Sequence, residues 1–419
     1  MNILIYAPDL TGHPQVYCKV IIDSLIDQAD QIVLACCRSN PFKWEDWSEL
    51  LPFEINKKIK IVDCNNPNHS YLRAEDIVEI QITHSIETSI FIEGDKFRDE
   101  FIRIYKKSAP RLRGKNIAIF SRTQAWYPGE DFYSGYPLPK LAPTLRQNLG
   151  RLKRRILIPE TWDNFFYEQI LIKNKVIDAL LVKDERISEK FGKPVYWMPE
   201  IFRPFNPEKN DNDQQFIKYS NQFIDFWHSR SGCQILLFFG TGSWYRGYDL
   251  FLKLIEDDPE IIGVHCGAPV VYEQGKPFLF DLDLIKQKLK HENRLFETNC
   301  YVSSWQLIDF FYKYSTHAVS THRLTGSSGT VLQALQCQNP VLVPETGLLG
   351  YRNIRYGLGQ TYQYLNPEDL FKQWLSFKSS DHNLYREKIR LFMDRFSQNN
   401  VKDFFENLVF ANQTHFSML

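Results

Sequence analysis

The chain has 419 residues, more than the roughly 100–200 that one ordinary core organises, so two domains are expected. Hydrophobic residues make up 43% and charged residues 24%, a globular composition that leaves disorder only for the ends. Lys plus Arg (50) balance Asp plus Glu (50) for a formal net charge of +0, which excludes the broad positive field of a dedicated nucleic-acid binder.

In chain order, Ile3 to Ala7 reads as a strand, PDLTGHPQ as a loop, Val16 to Ile26 as an amphipathic helix and Gln31 to Cys37 as a second strand. That is a parallel βαβ unit. Further short apolar runs follow in SIFIEGD, NIAIFSR, RRILIPE and IDALLVKDE, with helical stretches between them. After Trp197 prolines and polar residues crowd into MPEIFRPFNPEKNDND and periodicity stops, which marks a hinge. Strand-like runs resume in QILLFFG (234–240), EIIGVHCG, RLFETNCY, THAVSTH and NPVLVPE, and two helical stretches close the chain. The expected fold is α/β: two Rossmann-like, doubly wound, parallel-sheet domains. The first covers 1–203, joined by a C-terminal helix at about 400–419, and the second covers 204–399.

The eight cysteines are scattered without a CxxC and read as reduced core thiols. With no basic leader at the start and no run of about 18 apolar residues, a cytoplasmic location is expected.

Ligands of parallel α/β sheets gather beyond the carboxyl ends of the strands, where helices begin. Three strand-to-helix loops stand out. In the first, Thr325, Gly326, Ser327, Ser328, Gly329 and Thr330 precede a helix whose Val331, Leu332, Ala334, Leu335 and Cys337 share one face. Small and hydroxylated residues leave backbone N–H groups open to a phosphate, although a plain serine-rich cap reads the same way. In the second, GTGSWYRG, Gly240 and Gly242 allow a tight turn through Thr241 and Ser243, and Arg246 adds a permanent charge. The third holds Gly12 and His13; His13 reads equally as a residue packed on Tyr17 or as a ligand contact.

These stretches resemble the motifs of the retaining glycosyltransferases of family 4. GTGSWYRG is similar to that family's GR....KG element, and TGSSGTVLQALQCQNPVLVPETG to its two-glutamate element followed by A..G.PV. MPEIFRPFNP resembles the family's crossover and PDLTGH its first glycine loop, while residues 40 to 150 match only in general pattern. The resemblance implies the GT-B fold, two Rossmann-like domains facing across a cleft. It implies a nucleotide-sugar donor, most often a UDP-sugar, held by the second domain, with no metal or other cofactor. The acceptor, a glycan or lipid-linked sugar, would be held by the first domain, and transfer would retain configuration. By position, Arg246 takes the role of the family's lysine on the diphosphate, and Gly326 to Gly329 lie by the phosphates and the transferred sugar.

The pattern breaks at three places: the family's arginine is Thr241, and its two glutamates are Thr325 and Gln333. Gln333 keeps a hydrogen bond to the ribose without charge assistance, and Glu345 in the next loop is the candidate to replace the lost carboxylate.

On the acceptor side, Asp95 in FIEGDKF and Arg122 in FSRTQAWYPGED lie just past apparent strands, and Trp126 belongs to an aromatic loop suited to stacking on sugars. Catalysis is expected to rest on charge stabilisation by Arg246, Ser243 and the 326–330 amides, with no protein nucleophile. Lys140, Arg146, Arg151, Lys153, Arg154 and Arg155 give either a solvated helix face or a peripheral contact with anionic lipid. Three other readings stay open. An inverting GT-B enzyme would use Asp95 or His13 as general base; a nucleotide-sugar epimerase or a scaffold that has lost catalysis would share the fold.

Overall fold

The computed structural model describes residues 1–8, 13–36, 58–63, 72–120, 171–200, 213–230, 232–272, 276–323 and 326–410, with the backbone alone at His13, Gln15 and Trp305. It divides into two compact units. The chain leaves the first after Arg203, runs through the second from Pro204 to Asp394, and re-enters the first at Arg395.

Unit one contains β1 (Asn2–Tyr6), α1 (His13–Leu25), β2 (Gln31–Cys36), β3 (Ile59–Asp63), α2 (Ala74–Thr83), β4 (Thr88–Phe91), α3 (Arg98–Tyr105), β5 (Lys115–Phe120), β6 (Ala179–Val182), α4 (Glu185–Phe191) and β7 (Val195–Trp197). The strands form one seven-stranded sheet in the order β3-β2-β1-β4-β5-β6-β7, every pair parallel. Inner strands such as β1 and β5 are buried along almost their whole length, because helices cover both faces of a parallel sheet. The expected run RRILIPE lies outside the described residues. Helix α1 begins at His13, three residues before the expected Val16, because Pro14 is tolerated in a first turn, where its missing N–H has no helical partner.

Unit two contains α5 (Gln214–His228), β8 (Gln234–Phe239), α6 (Tyr248–Asp257), β9 (Ile261–Cys266), α7 (Leu282–His291), β10 (Leu295–Glu297), α8 (Trp305–Tyr314), β11 (His317–Val319), α9 (Gly329–Gln336), β12 (Val341–Pro344), α10 (Gly347–Tyr356), β13 (Gly359–Tyr362), α11 (Pro367–Lys378) and α12 (Asn383–Asp394). Its six strands pair in parallel in the order β10-β9-β8-β11-β12-β13. The chain winds outward from β8 in one direction, then returns to place β11 on the other side. The switch of strand order therefore falls between β8 and β11, the position at which open α/β sheets bind ligands. The last helix, α13 (Gln398–Phe410), buries Val401, Phe405, Leu408 and Val409 in unit one against Ile21, Ile22 and Leu25 of α1.

His317 opens β11 and is 2% exposed. Its ring meets His382 at 4.3 Å between centroids, Trp374 at 5.0 Å and Phe377 at 5.3 Å. Burial, then His382 and Lys378, bring its pKa down from 6.5 to about 3. The unfolded chain takes up this proton near 6.5 while the folded chain resists until about 3, so stability is lost as pH falls through that window. One such group contributes a slope of about 1.4 kcal/mol per pH unit. His317→Phe is expected to flatten the fall of melting temperature between pH 6.5 and 4.5, measured by calorimetry; an unchanged slope excludes this group.

Candidate functional site: the strand-order switch of unit two

The loop after β8 is shaped by what holds Gly240. Its N–H donates to the Cys266 carbonyl at 2.8 Å, its carbonyl accepts from His265 Nε2 at 2.9 Å, and its φ is +108°, a backbone that favours glycine. His265 is itself fully buried, with Nδ1 3.5 Å from Glu297 Oε1. Glu297 also accepts from the Tyr248 hydroxyl at 3.1 Å and pairs with Lys286 at 2.8 Å and Lys290 at 2.6 Å. Burial pushes the Glu297 carboxyl up, but His265, Lys286 and Lys290 outweigh it and hold the pKa far below the usual range. Gly242 is packed against Tyr248, Val270 and His265, each 3.1 to 3.3 Å from where a Cβ would sit. Val271 N–H donates to the Gly242 carbonyl at 2.9 Å, and Ser243 bridges to Val271. Thr241 and Ser243 remain half-buried.

Arg246 folds back over this turn. Its Nη1 donates to the Phe239 carbonyl at 3.1 Å, and a Cβ on Gly240 would come within 2.7 Å of the same nitrogen. Glycine is favoured here by its φ, and any side chain would also have to displace the guanidinium resting on it. Burial lowers the Arg246 pKa and the Tyr312 hydroxyl nearby opposes this, but a guanidinium stays charged regardless. Among the described residues no carboxylate lies within ion-pair distance of Arg246; its hydrogen bond is to a backbone carbonyl.

Three residues after β11 fasten the two loops together. Thr321 Oγ1 donates to the Arg246 carbonyl at 2.9 Å, and a Cβ on Gly247 would sit 1.9 Å from the Thr321 carbonyl. Arg323 N–H donates to the Tyr245 carbonyl at 2.8 Å and its Nη1 to the Trp244 carbonyl at 2.6 Å. Its guanidinium also makes a two-pronged pair with Asp249 at 2.9 and 2.7 Å, stacked 4.9 Å from the Trp244 ring. Between them His322 Nδ1 lies 2.7 Å from Ser320 Oγ.

The loop then enters α9. Ser328 occupies the cap position, yet its hydroxyl pairs with Thr330 Oγ1 at 2.9 Å and makes no bond to the helix amides. Ser328 therefore does not act as a plain serine cap, and it leaves the first-turn N–H groups of α9 unbonded by its own side chain. Tyr312, a neighbour of Arg246, donates to the Thr330 carbonyl at 3.0 Å and so links the guanidinium to this helix start.

Gly240, Thr241, Gly242, Ser243 and Arg246 follow β8, and Gly326, Ser327, Ser328, Gly329 and Thr330 lie between β11 and the first turn of α9, so both groups belong to the loops of the two strands that flank the switch. Gln333 lies half-buried one turn into α9. Glu345 is exposed just past β12, its N–H donating to the Tyr362 carbonyl at 2.9 Å, and no described contact ties it to Arg246. In unit one, Asp95 is half-buried after β4 and, with Tyr17 and Glu200, acts on the ammonium of Lys183, which stands 4.9 Å from the Tyr17 ring centroid. Burial lowers the Lys183 pKa, but Tyr17, Glu200 and Asp95 together leave it raised. His13 is the first residue of α1. Gly12, Arg122, Trp126, Thr325 and the basic stretch 140–155 lie outside the described residues. Sequence reasoning missed His265, Glu297, Tyr312, His322, Asp249, Arg323 and Lys183. The HR pair directly after a strand in THAVSTHR was the one local sign of any of them.

Among the described residues no three His, Cys, Asp or Glu gather to hold a metal ion, and no helix is long and apolar enough to cross a membrane.

Two parallel-sheet α/β units of seven and six strands define the GT-B fold, in which glycosyltransferases and nucleotide-sugar epimerases are both found. No family model and no curated protein matches the sequence. Among solved structures the chain is similar to Anabaena HepE in complex with UDP, at 11% identity and a TM-score of 0.61, over 98% of this chain and 100% of that one. It is similar to a glycosyltransferase from Rickettsia africae at 11% identity and a TM-score of 0.59, over 98% and 99%. A UDP-GlcNAc 2-epimerase from Neisseria meningitidis bound to UDP-GlcNAc follows at 11% identity and a TM-score of 0.52, over 98% and 100%.

Proposed function

We propose that the chain is a glycosyltransferase that binds a nucleotide-sugar, in the first place a UDP-sugar, at the strand-order switch of unit two. The observation that carries this reading is Arg246: a part-buried guanidinium with no carboxylate partner among the described residues, seated on a glycine turn beside a helix start without a side-chain cap. An unneutralised cation and a helix start that its own cap residue does not bond, on the two loops flanking the strand-order switch, suit a diphosphate. The UDP bound to HepE and the UDP-GlcNAc bound to the epimerase, both of this fold, support the same class of ligand.

On this reading the sugar–phosphate bond breaks with its electron pair going to the nucleoside diphosphate, and Arg246 and the α9 amides stabilise that charge without a metal. The acceptor hydroxyl attacks on the same face and gives its proton to the leaving phosphate, so configuration is retained and no side chain becomes covalently attached. The acceptor is a glycan or lipid-linked sugar held by unit one, with Asp95, Arg122 and Trp126 as its contacts and His13 as a further catalytic candidate.

A thermal-shift panel of UDP, GDP, ADP and their sugars tests the reading. UDP at a hundredfold excess over its Kd contributes about 2.7 kcal/mol, a rise of roughly 5 °C or more for a domain of this size. No shift with any nucleotide points to a scaffold that has kept only the fold. Consumption of a UDP-sugar without any acceptor, giving an isomer by NMR, points to an epimerase.

A further inference from the structure

His322 is the third residue past β11, between two residues whose positions are fixed: Thr321 is bonded to the Arg246 carbonyl, and Arg323 to Tyr245, Trp244 and Asp249. The backbone therefore presents this imidazole at one place on the edge of the switch. Its Nδ1 is engaged by Ser320 Oγ at 2.7 Å, and the ring has no second polar partner among the described residues. The ring is half-buried, so its second nitrogen is open to solvent or to a ligand.

The ring is also kept uncharged. Burial and then the Arg246 charge bring its pKa down from 6.5 to about 3. Arg246 is the charged neighbour from the β8–α6 loop; the other nearby cation, Arg323, is neutralised by Asp249. If Ser320 donates its hydroxyl proton to Nδ1, the proton of the neutral imidazole sits on Nε2, which then becomes a donor beside an unneutralised guanidinium. Two donors with no acid between them suit an anion's oxygens better than a neutral hydroxyl.

We propose that His322 is a second phosphate-contacting residue of the unit-two site, donating through Nε2 to an oxygen of the nucleotide diphosphate that Arg246 holds. This rests on the donor-site reading above and adds a residue that the sequence motifs do not contain. Ser320 is then a positioning residue, since it selects the tautomer.

The experiment compares UDP with uridine, which lacks phosphate. Calorimetric Kd values are measured for both ligands on the wild-type chain, His322→Leu and His322→Gln. Separately, the imidazole ¹⁵N signals of the wild type are followed during each titration, with the His322 signal assigned from its loss in a variant. The expected result is that His322→Leu weakens UDP about tenfold or more with uridine unchanged, and that His322→Gln, whose amide reaches a similar point, recovers part of the loss. The His322 ¹⁵N signals shift with UDP and not with uridine, a readout that needs no variant to fold with full stability. Equal losses for UDP and uridine, or UDP binding with the His322 signals unmoved, overturn the contact while leaving the nucleotide site standing. Failure of UDP to bind the wild type overturns both readings.

Discussion

Arg246→Ala is expected to lower kcat/KM for the nucleotide-sugar by about 10²–10³, the loss seen when one preorganised donor to developing charge is removed from a shielded site. The melting temperature should hardly change. The reason is an asymmetry in how Arg246 is placed. A buried ion pair cut in half leaves an uncompensated charge, but here the guanidinium has a backbone carbonyl as its partner and no carboxylate to be orphaned. Its part-buried charge is disfavoured by desolvation in the free protein, as the lowered pKa reports, so its removal relieves a cost. Arg246→Lys keeps the charge but loses the flat fork that lies on Gly240, and an intermediate loss of about tenfold is expected. Calorimetric Kd for UDP together with melting curves checks this. If Arg246→Ala binds UDP as the wild type does, the loop after β8 is not the diphosphate site.

Much of the fold is legible in the sequence because inner strands of a parallel sheet are covered on both faces and so read as unbroken apolar runs, as in QILLFF and IIGVHC. What escaped notice lies at the sheet edges. β3 alternates half-buried and exposed residues, β7 is three residues long, and β13, GQTY, is mostly half-exposed, so none carries a clear hydrophobic signal. The site follows the same logic. Gly240, Gly242, Arg246 and the 326–330 turn announce themselves because strand, glycine turn and helix succeed one another locally. Their supports do not. His265 reaches Gly240 from 25 residues away and Arg323 reaches Asp249 from 74, separations that only the folded chain closes. The cap of α9 shows the limit from the other side: Ser328 stands where a capping serine should, and its hydroxyl turns to Thr330 instead.

Removing one member of the Asp249–Arg323 pair should destabilise unit two strongly. Both side chains are out of solvent, at 0% and 2% exposure, and their bonds of 2.7 and 2.9 Å leave no room for water to replace either partner. Arg323→Met is therefore expected to cost about 3–5 kcal/mol, because the Asp249 carboxylate stays behind in the core with, among the described residues, the Leu279 N–H alone to answer it. Asp249→Asn should cost less, since an amide carries no charge and keeps an oxygen for that N–H. The double variant Arg323→Met, Asp249→Leu should be more stable than the sum of its parts, since no charge is then stranded. Denaturant midpoints measure this, and strict additivity would show that the pair does not act as a unit. Function should part company with stability in the double variant. The Arg323 side chain also ties residues 321–323 to the Trp244 carbonyl, a bond the substitution removes while the backbone bond from Arg323 N–H to Tyr245 stays, and that tie helps fix His322 relative to the Arg246 loop. An apolar replacement restores packing but not the donors. The double variant should therefore refold close to normal stability and still bind UDP at least tenfold more weakly, which places the cost of a buried ion pair in the geometry of the loops it joins.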